Sequence, residues 1–204
     1  VWTIIFHGIV LSFGLILPLG VQNVFIFQQG AYQRSYWRAL PVILTASLCD
    51  TLLITLAITG VSVLVLASTW VKTILLLAGF VFLVYMGWIT WNSKPRMIQE
   101  EKEVYSWKKQ IAFAASVSLL NPHAILDTIG VIGTSSLQYA GQERWAFAIS
   151  CIAVSWIWFF SLALAGRLVG RIDSSGKLMV VLNKCSAVII WAVSLMMLWT
   201  LFAS

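Results

Sequence analysis

Residues 4–28 read IIFHGIVLSFGLILPLGVQNVFIFQ, an apolar run broken in its second half by Pro18, Gly20, Gln22 and Asn23. A bilayer core of about 30 Å takes roughly 20 apolar residues per helix, so the run is long enough to cross. Proline removes one backbone hydrogen bond and clashes with the carbonyl four residues earlier, which here belongs to Gly14. Gly14 and Gly20 make a break easy, and Gln22 and Asn23 carry side chains able to satisfy freed backbone groups or a ligand. The stretch predicts a membrane helix interrupted partway across.

Five further apolar runs follow Ile4–Gln28: Ala39–Leu66, Trp70–Trp91, Ile111–Gly133, Trp145–Gly166 and Met179–Ala203. The chain has 204 residues, of which 60 % are hydrophobic and 10 % charged. Soluble domains average about 45–50 % apolar and about 25 % charged. A water-soluble fold of this size lacks the interior to hide so much apolar surface, so lipid is the expected solvent. The expected class is an all-α integral membrane protein of six transmembrane helices. Residues 1–91 form one three-helix half, 92–110 a charged loop and 111–204 the second half. A five-span arrangement, with the first or fourth run re-entrant or interfacial, is the structural alternative. No secretory signal peptide is expected, since nothing before His7 is charged and no A-x-A site follows the first run. His7 itself reads as interfacial.

The net charge of +6 does not call for a nucleic acid, because the basic residues lie in the connections between runs. There they act as topology signals and headgroup anchors. The first, third and fifth connections hold Arg34 and Arg38; Lys94, Arg96, Lys102, Lys108 and Lys109; and Arg167, Arg171 and Lys177, ten in all. The opposite face holds Lys72 and Arg144. The basic-rich face is expected to be cytoplasmic, with both termini outside. Lys184, a turn or so inside the last run, can snorkel to the same interface. Trp37, Trp88, Trp91 and Trp107 fall at the inner boundary, Trp70 and Trp145 at the outer one.

Two carboxylates lie inside apolar runs, Asp50 in the second and Asp127 in the fourth. An Asp at mid-membrane costs about 2.5–3.5 kcal/mol on insertion scales, so it faces a cavity or a partner. The fourth run also carries Asn121, Pro122 and His123, with His123 and Asp127 four apart on one helical face. Each half therefore opens with a span broken by proline beside an amide. With three spans per half, the halves are expected to be inverted repeats, and in such transporters the site lies near the midplane between broken helices. Pro18, Gly20 and Pro122 mark the breaks. Asp50, Asp127, His123, Asn121, Gln22 and Asn23 are the candidate substrate- and proton-binding residues. Residues 155–160 (SWIWFF) are aromatic at mid-depth. They pack against lipid or neighbours, or Trp156 and Trp158 form a cation–π wall for a cationic solute. Gly166 and Gly170 have helix-packing spacing, a weak signal at a membrane boundary.

At these residues the sequence resembles the lysine/arginine exporter family, the LysE family, and in particular its arginine-exporting branch. The matching pieces are Leu17–Asn23, Ser47–Asp50, Leu120–His123 running on to Asp127 and Thr128, and the Ser155–Phe160 stretch. The family's first motif often reads Pro-x-Gly-Pro-Gln-Asn; Val21 stands here in place of its second proline, which implies a milder break. The neutral amino acid exporters tend to carry Pro-Gly-Pro-Asn and lack the histidine after Asn-Pro, so Gln22 and His123 favour the basic branch. The resemblance implies export of arginine or lysine across the plasma membrane. Chemistry points the same way: a cationic side chain in a low-dielectric site needs a countercharge. Export of a cation against an inside-negative potential costs about 2.3 kcal/mol per charge per 100 mV, and proton antiport would drive it. The expected partners are thus a basic amino acid, protons and lipid. A neutral substrate stays open, because the two acids could serve protons alone, and a homo-oligomer stays open too.

Other classes fit less well. Metal efflux would predict a His- or Cys-rich loop, which Asn92–Gln110 is not, and no metal or cofactor is expected. A membrane thiol–disulfide relay remains a remote alternative: Cys49 and Cys151 lie in different halves but not on the broken runs, and Cys49, Cys151 and Cys185 include no C-x-x-C pair. An intramembrane hydrolase would need a nucleophile–base pair or H-E-x-x-H, and neither is present, so no enzyme is expected. The orientation has a direct test. A membrane-impermeant thiol reagent should label an engineered cysteine at Ser204 from outside intact cells and leave one at Glu101 unlabelled. The reverse pattern would overturn the orientation, and a mixed one would point to five spans.

Overall fold

The computed structural model describes residues 1–17, 20–60, 69–92, 105–121, 124–125, 128–172 and 177–203, and every regular element among them is helical. The first apolar run is divided between α1 (Trp2–Ile16) and α2 (Val21–Tyr32), whose axes meet at 82°. A 3-10 turn, Tyr36–Ala39, leads into α3 (Leu40–Ile58), which places Pro41 in its first turn, where no helical N–H is lost. Gly60, with φ +79°, follows the end of α3 in a left-handed conformation open to glycine. The helix thus stops short of the Leu66 expected from hydropathy, and residues 61–68 lie outside the described residues.

α4 (Thr69–Trp91) matches the third run. α5 (Trp107–Leu119) begins on Ser106, whose Oγ accepts from Lys109 N at 3.4 Å, an N-cap. The fourth run continues beyond α5 through a π-helical turn, Thr128–Gly133, and a single α turn, Thr134–Ser136. α6 (Gly141–Ile172) overshoots its apolar run at both ends, with Glu143 in its first turn and Arg171 in its last. Those charges complement the helix dipole and carry the helix into the polar zones. α7 (Lys177–Ala203) closes the described chain.

Among the described residues two helices are long and apolar enough to cross a membrane, Tyr36–Ile58 and Gly141–Ile172, and α1 with α2 makes a third when taken as one broken span. The outer face of α3 presents Leu44, Leu48, Leu52 and Leu56 as one exposed stripe at four-residue spacing. Its inner face carries Ile43, Ala46, Ser47 and Ile54, all buried. A helix apolar on both faces has lipid on one side and protein on the other.

α6 is the spine of the bundle. α1, α2 and α3 pack on it, α3 also holds α5 and the π turn, and α4 pairs with α7. The α2–α6 contact is backbone to backbone. A Cβ on Gly30 would collide with the Ala163 carbonyl, one on Gly166 with the Phe27 carbonyl, and one on Gly170 would lie 2.8 Å from the Ala31 carbonyl. The Gly166 and Gly170 spacing, weak as a sequence signal, is thus the seam that seats α2. Phe25, Ile26, Val42, Ile43 and Phe159 fill the core beside it.

Polar contacts close the two ends of the bundle. At one end the connections carrying Arg34, Arg38 and Lys108 converge. Gln33 Nε2 donates to Gln29 Oε1 at 3.0 Å and to Tyr105 O at 3.2 Å. Gln110 Nε2 donates to Arg38 O and Tyr105 O, and Arg167 reaches the carbonyls of Gln33 and Arg34. Lys184 Nζ stands 5.5 Å above the Trp91 ring at the same end, a cation–π contact. At the other end His7 is not merely interfacial: its Nδ1 lies 2.8 Å from Tyr139 Oη, and its ring packs on Phe147 at 5.3 Å.

The glycine seam yields a prediction with its own control. Gly166→Ala forces a Cβ into the backbone of α2 and should destabilise the folded protein by about 1–3 kcal/mol or more. Gly14→Ala meets nothing within 4 Å and should be tolerated. Thermal unfolding of both variants in detergent checks this; equal stabilities would refute the close approach.

Candidate functional site

A cavity of about 160 Å³ lies where α1 stops and α2 begins. One water needs roughly 10–15 Å³ on the same measure, so the space takes several waters or a small solute. Its polar lining is drawn from most of the described elements: Ser12 on α1, Gln22 and Asn23 on α2, Asp50 on α3, Asn121 after α5, and Ser155 on α6. Thr128 opens the π turn on the same wall. Ile54, Leu83, Phe159 and Ile190 supply a broad apolar side.

The break in the first run sets this arrangement. A helix end leaves carbonyls without intrahelical partners, and lipid offers none. Asn23 Nδ2 donates to Ile16 O at 2.8 Å, so the first turn of α2 satisfies the last turn of α1. Trp158 Nε1 donates in turn to Asn23 Oδ1 at 3.3 Å, which ties the break to α6. Gln22, one residue earlier, turns toward α3 and donates from Nε2 to Asp50 Oδ1 at 3.4 Å. That long bond ties the start of α2 to the carboxylate, and it leaves Asp50 capacity to accept from a second donor.

The candidate residues divide clearly. Gly20, Gln22, Asn23, Asp50 and Asn121 share one cavity wall. Trp156 and Trp158 do not stand on it: Trp156 Nε1 donates to Thr51 Oγ1 at 3.1 Å, Trp158 serves Asn23, and the ring of that stretch on the wall is Phe159. Pro18, Pro122, His123 and Asp127 lie outside the described residues. Sequence reasoning gave no site role to Ser12, Thr128, Ser155 or Phe159, all of which line the cavity. Hydroxyls are inconspicuous in membrane helices because they bond their own backbone, as Thr45, Thr51 and Thr55 do with the carbonyls four residues earlier.

Cys151 also touches the cavity, with its Sγ 3.6 Å from Gly8 O; Cys49, Cys151 and Cys185 are all free. Among the described residues no three His, Cys, Asp or Glu side chains gather as metal ligands do. What the described part of the wall offers chemically is a carboxylate, several amide and hydroxyl groups, and apolar surface. Such a wall suits a small solute bearing both charge and hydrocarbon.

Comparison with known proteins agrees with this character. The chain is 66 % identical over 188 residues to a Bacillus subtilis (strain 168) protein named "Putative amino-acid transporter YisU", covering 92 % of this chain and 86 % of the relative. It is 32 % identical over 193 residues to the arginine exporter protein ArgO of Salmonella paratyphi B (strain ATCC BAA-1250 / SPB7), covering 93 % and 90 %. It is also 32 % identical over 198 residues to the arginine exporter protein ArgO of Pectobacterium carotovorum subsp. carotovorum (strain PC1), covering 95 % and 96 %. No solved structure matches the chain. The family described as LysE type translocator matches residues 13–200, and with nearly the whole described bundle inside that match, the chain belongs to the LysE family of membrane amino-acid transporters.

Proposed function

We infer that this chain exports a basic amino acid, arginine or lysine, across the bacterial plasma membrane in exchange for protons. The observation that carries the reading is Asp50, a carboxylate inside a membrane helix that faces a cavity of solute size and, among the described residues, accepts one long bond, at 3.4 Å from Gln22. A charge placed at that depth is tolerated where it meets an opposite charge or a proton. Similarity to two arginine exporters supports arginine as the cation.

The architecture that goes with this function is six spans in two inverted halves, residues 1–91 and 111–204, joined by the charged loop 92–110. Both termini lie outside, by the distribution of Lys and Arg. Asp127 and His123, which the sequence puts in the fourth apolar run, would supply a second carboxylate and a base. Asp50, Asp127 or His123 then binds substrate and proton alternately, so that proton entry pulls the cation out against the membrane potential. A neutral amino acid is the second reading, favoured by the apolar side of the cavity at Ile54, Leu83, Phe159 and Ile190. The acids would then carry protons alone.

Asparagine keeps the shape of aspartate and removes its charge. Asp50→Asn and Asp127→Asn should each abolish proton-dependent arginine uptake into inverted vesicles while the protein still inserts and folds. Normal arginine transport by either variant would refute the role of that residue. Retention in both, with leucine also carried, would move the reading to a neutral substrate.

A further inference from the structure

The first turn of α2 opens on the cavity without a cap. Its N-cap residue, Gly20, has φ −78° and ψ 174° and provides no side-chain hydrogen bond. Gly20, Val21 and Gln22 all line the cavity. The first N–H groups of a helix have no intrahelical acceptor and carry partial positive charge. Neither conformation nor packing requires glycine here. A φ of −78° suits any residue, and a Cβ at this position would meet nothing within 4 Å. The missing side chain leaves the positive end of α2 open to whatever occupies the cavity.

A second observation on α1 points into the same space. Ser12 is 6 % exposed and lines the cavity, and among the described residues its Oγ has no oxygen or nitrogen hydrogen-bond partner, only the Cys151 thiol as a weak neighbour, unlike the hydroxyls of Thr45, Thr51 and Thr55. A buried polar group without a partner is costly, and a ligand that accepts its bond removes that cost. Ser12 sits about one turn before Ile16, whose carbonyl is held by Asn23. The hydroxyl and the first turn of α2 are therefore fixed relative to each other.

We propose that Ser12 and the open N-terminus of α2 form the subsite for the α-carboxylate of the transported amino acid. The proposal rests on the export reading above and adds where the anionic end of the substrate binds. Hydroxyl and backbone N–H donors bordering one cavity suit a carboxylate. Gln22 divides the site: its backbone belongs to the first turn of α2, while its side-chain Nε2 donates to Asp50. The negative end of the solute thus meets α2, and its positive groups face Asp50.

The full-length protein in liposomes tests this with arginine, its decarboxylated analogue agmatine, and arginine methyl ester. The unaltered protein should carry arginine and neither analogue. Ser12→Ala should raise the half-saturation concentration for arginine about tenfold or more, the range of a lost bond to a charged group. Gly20→Asp places a fixed carboxylate in the subsite, and Asp is a favoured N-cap, so the helix is kept. That variant should lose arginine transport and gain agmatine transport. Agmatine carried as well as arginine by the unaltered protein would overturn the subsite, as would an unchanged half-saturation in Ser12→Ala. Failure to carry any basic amino acid would instead sink the basic-substrate reading. Leucine against isopentylamine would then decide the subsite by the same comparison.

Discussion

A helix that stops inside an apolar run must give its last carbonyls to protein, because lipid has no donors. In this chain Asn23 meets that constraint for Ile16, its amide donating back to Ile16 O across the break. The geometry of the site depends on that bond. It sets the 82° turn between α1 and α2 against α6 through Trp158, and it leaves the neighbouring Gln22 to face Asp50. A cavity bounded by a helix start, a helix end and a carboxylate results from satisfying the backbone at a break.

The remaining support is packing without polarity. Between helices in lipid the hydrophobic effect gives little net drive, so close van der Waals approach and a few hydrogen bonds do the work. Gly30, Gly166 and Gly170 let α2 and α6 touch along their backbones, and Gly8 does the same where α1 crosses α6 near Ser150. Gly87 makes room for Trp191, whose Nε1 donates to Val84 O and joins α4 to α7. The bundle is therefore tight along α6 on the α1 and α2 side, while α2 meets α5 through the rings of Phe25 and Phe113, 4.2 Å apart, and Gln33 after α2 donates to Tyr105 O just ahead of α5.

Amides in this interior have two kinds of use. Asn23, Gln33 and Gln110 hold elements together, and Gln28 Nε2 links α2 to α7 through Asn183 Oδ1 at 2.7 Å. Gln22 keeps only a long bond on the cavity wall that it shares with Asn23, and beside it the Ser12 hydroxyl has no oxygen or nitrogen partner among the described residues. Substrate recognition in such a protein has to come from the second kind, since groups whose bonds are already short gain little by exchanging them.

The sequence by itself determined the solvent of this protein, the positions of its apolar runs, and most of the polar side chains on the cavity wall. Gln22, Asn23, Asp50 and Asn121 stand out in hydrocarbon because each carries a penalty of kilocalories, which makes a lone polar letter in an apolar run informative. Only the tertiary structure decided which of them is spent on the fold. Asn23 caps α1, Trp156 and Trp158 turn to Thr51 and Asn23, Phe159 takes the wall, and His7 finds Tyr139. The physical reason is that a membrane helix is apolar on its lipid face and on its protein face alike. Hydropathy then carries almost no signal for which side is which, and the azimuth of each helix is set by contacts such as the glycine seam of α2 and α6.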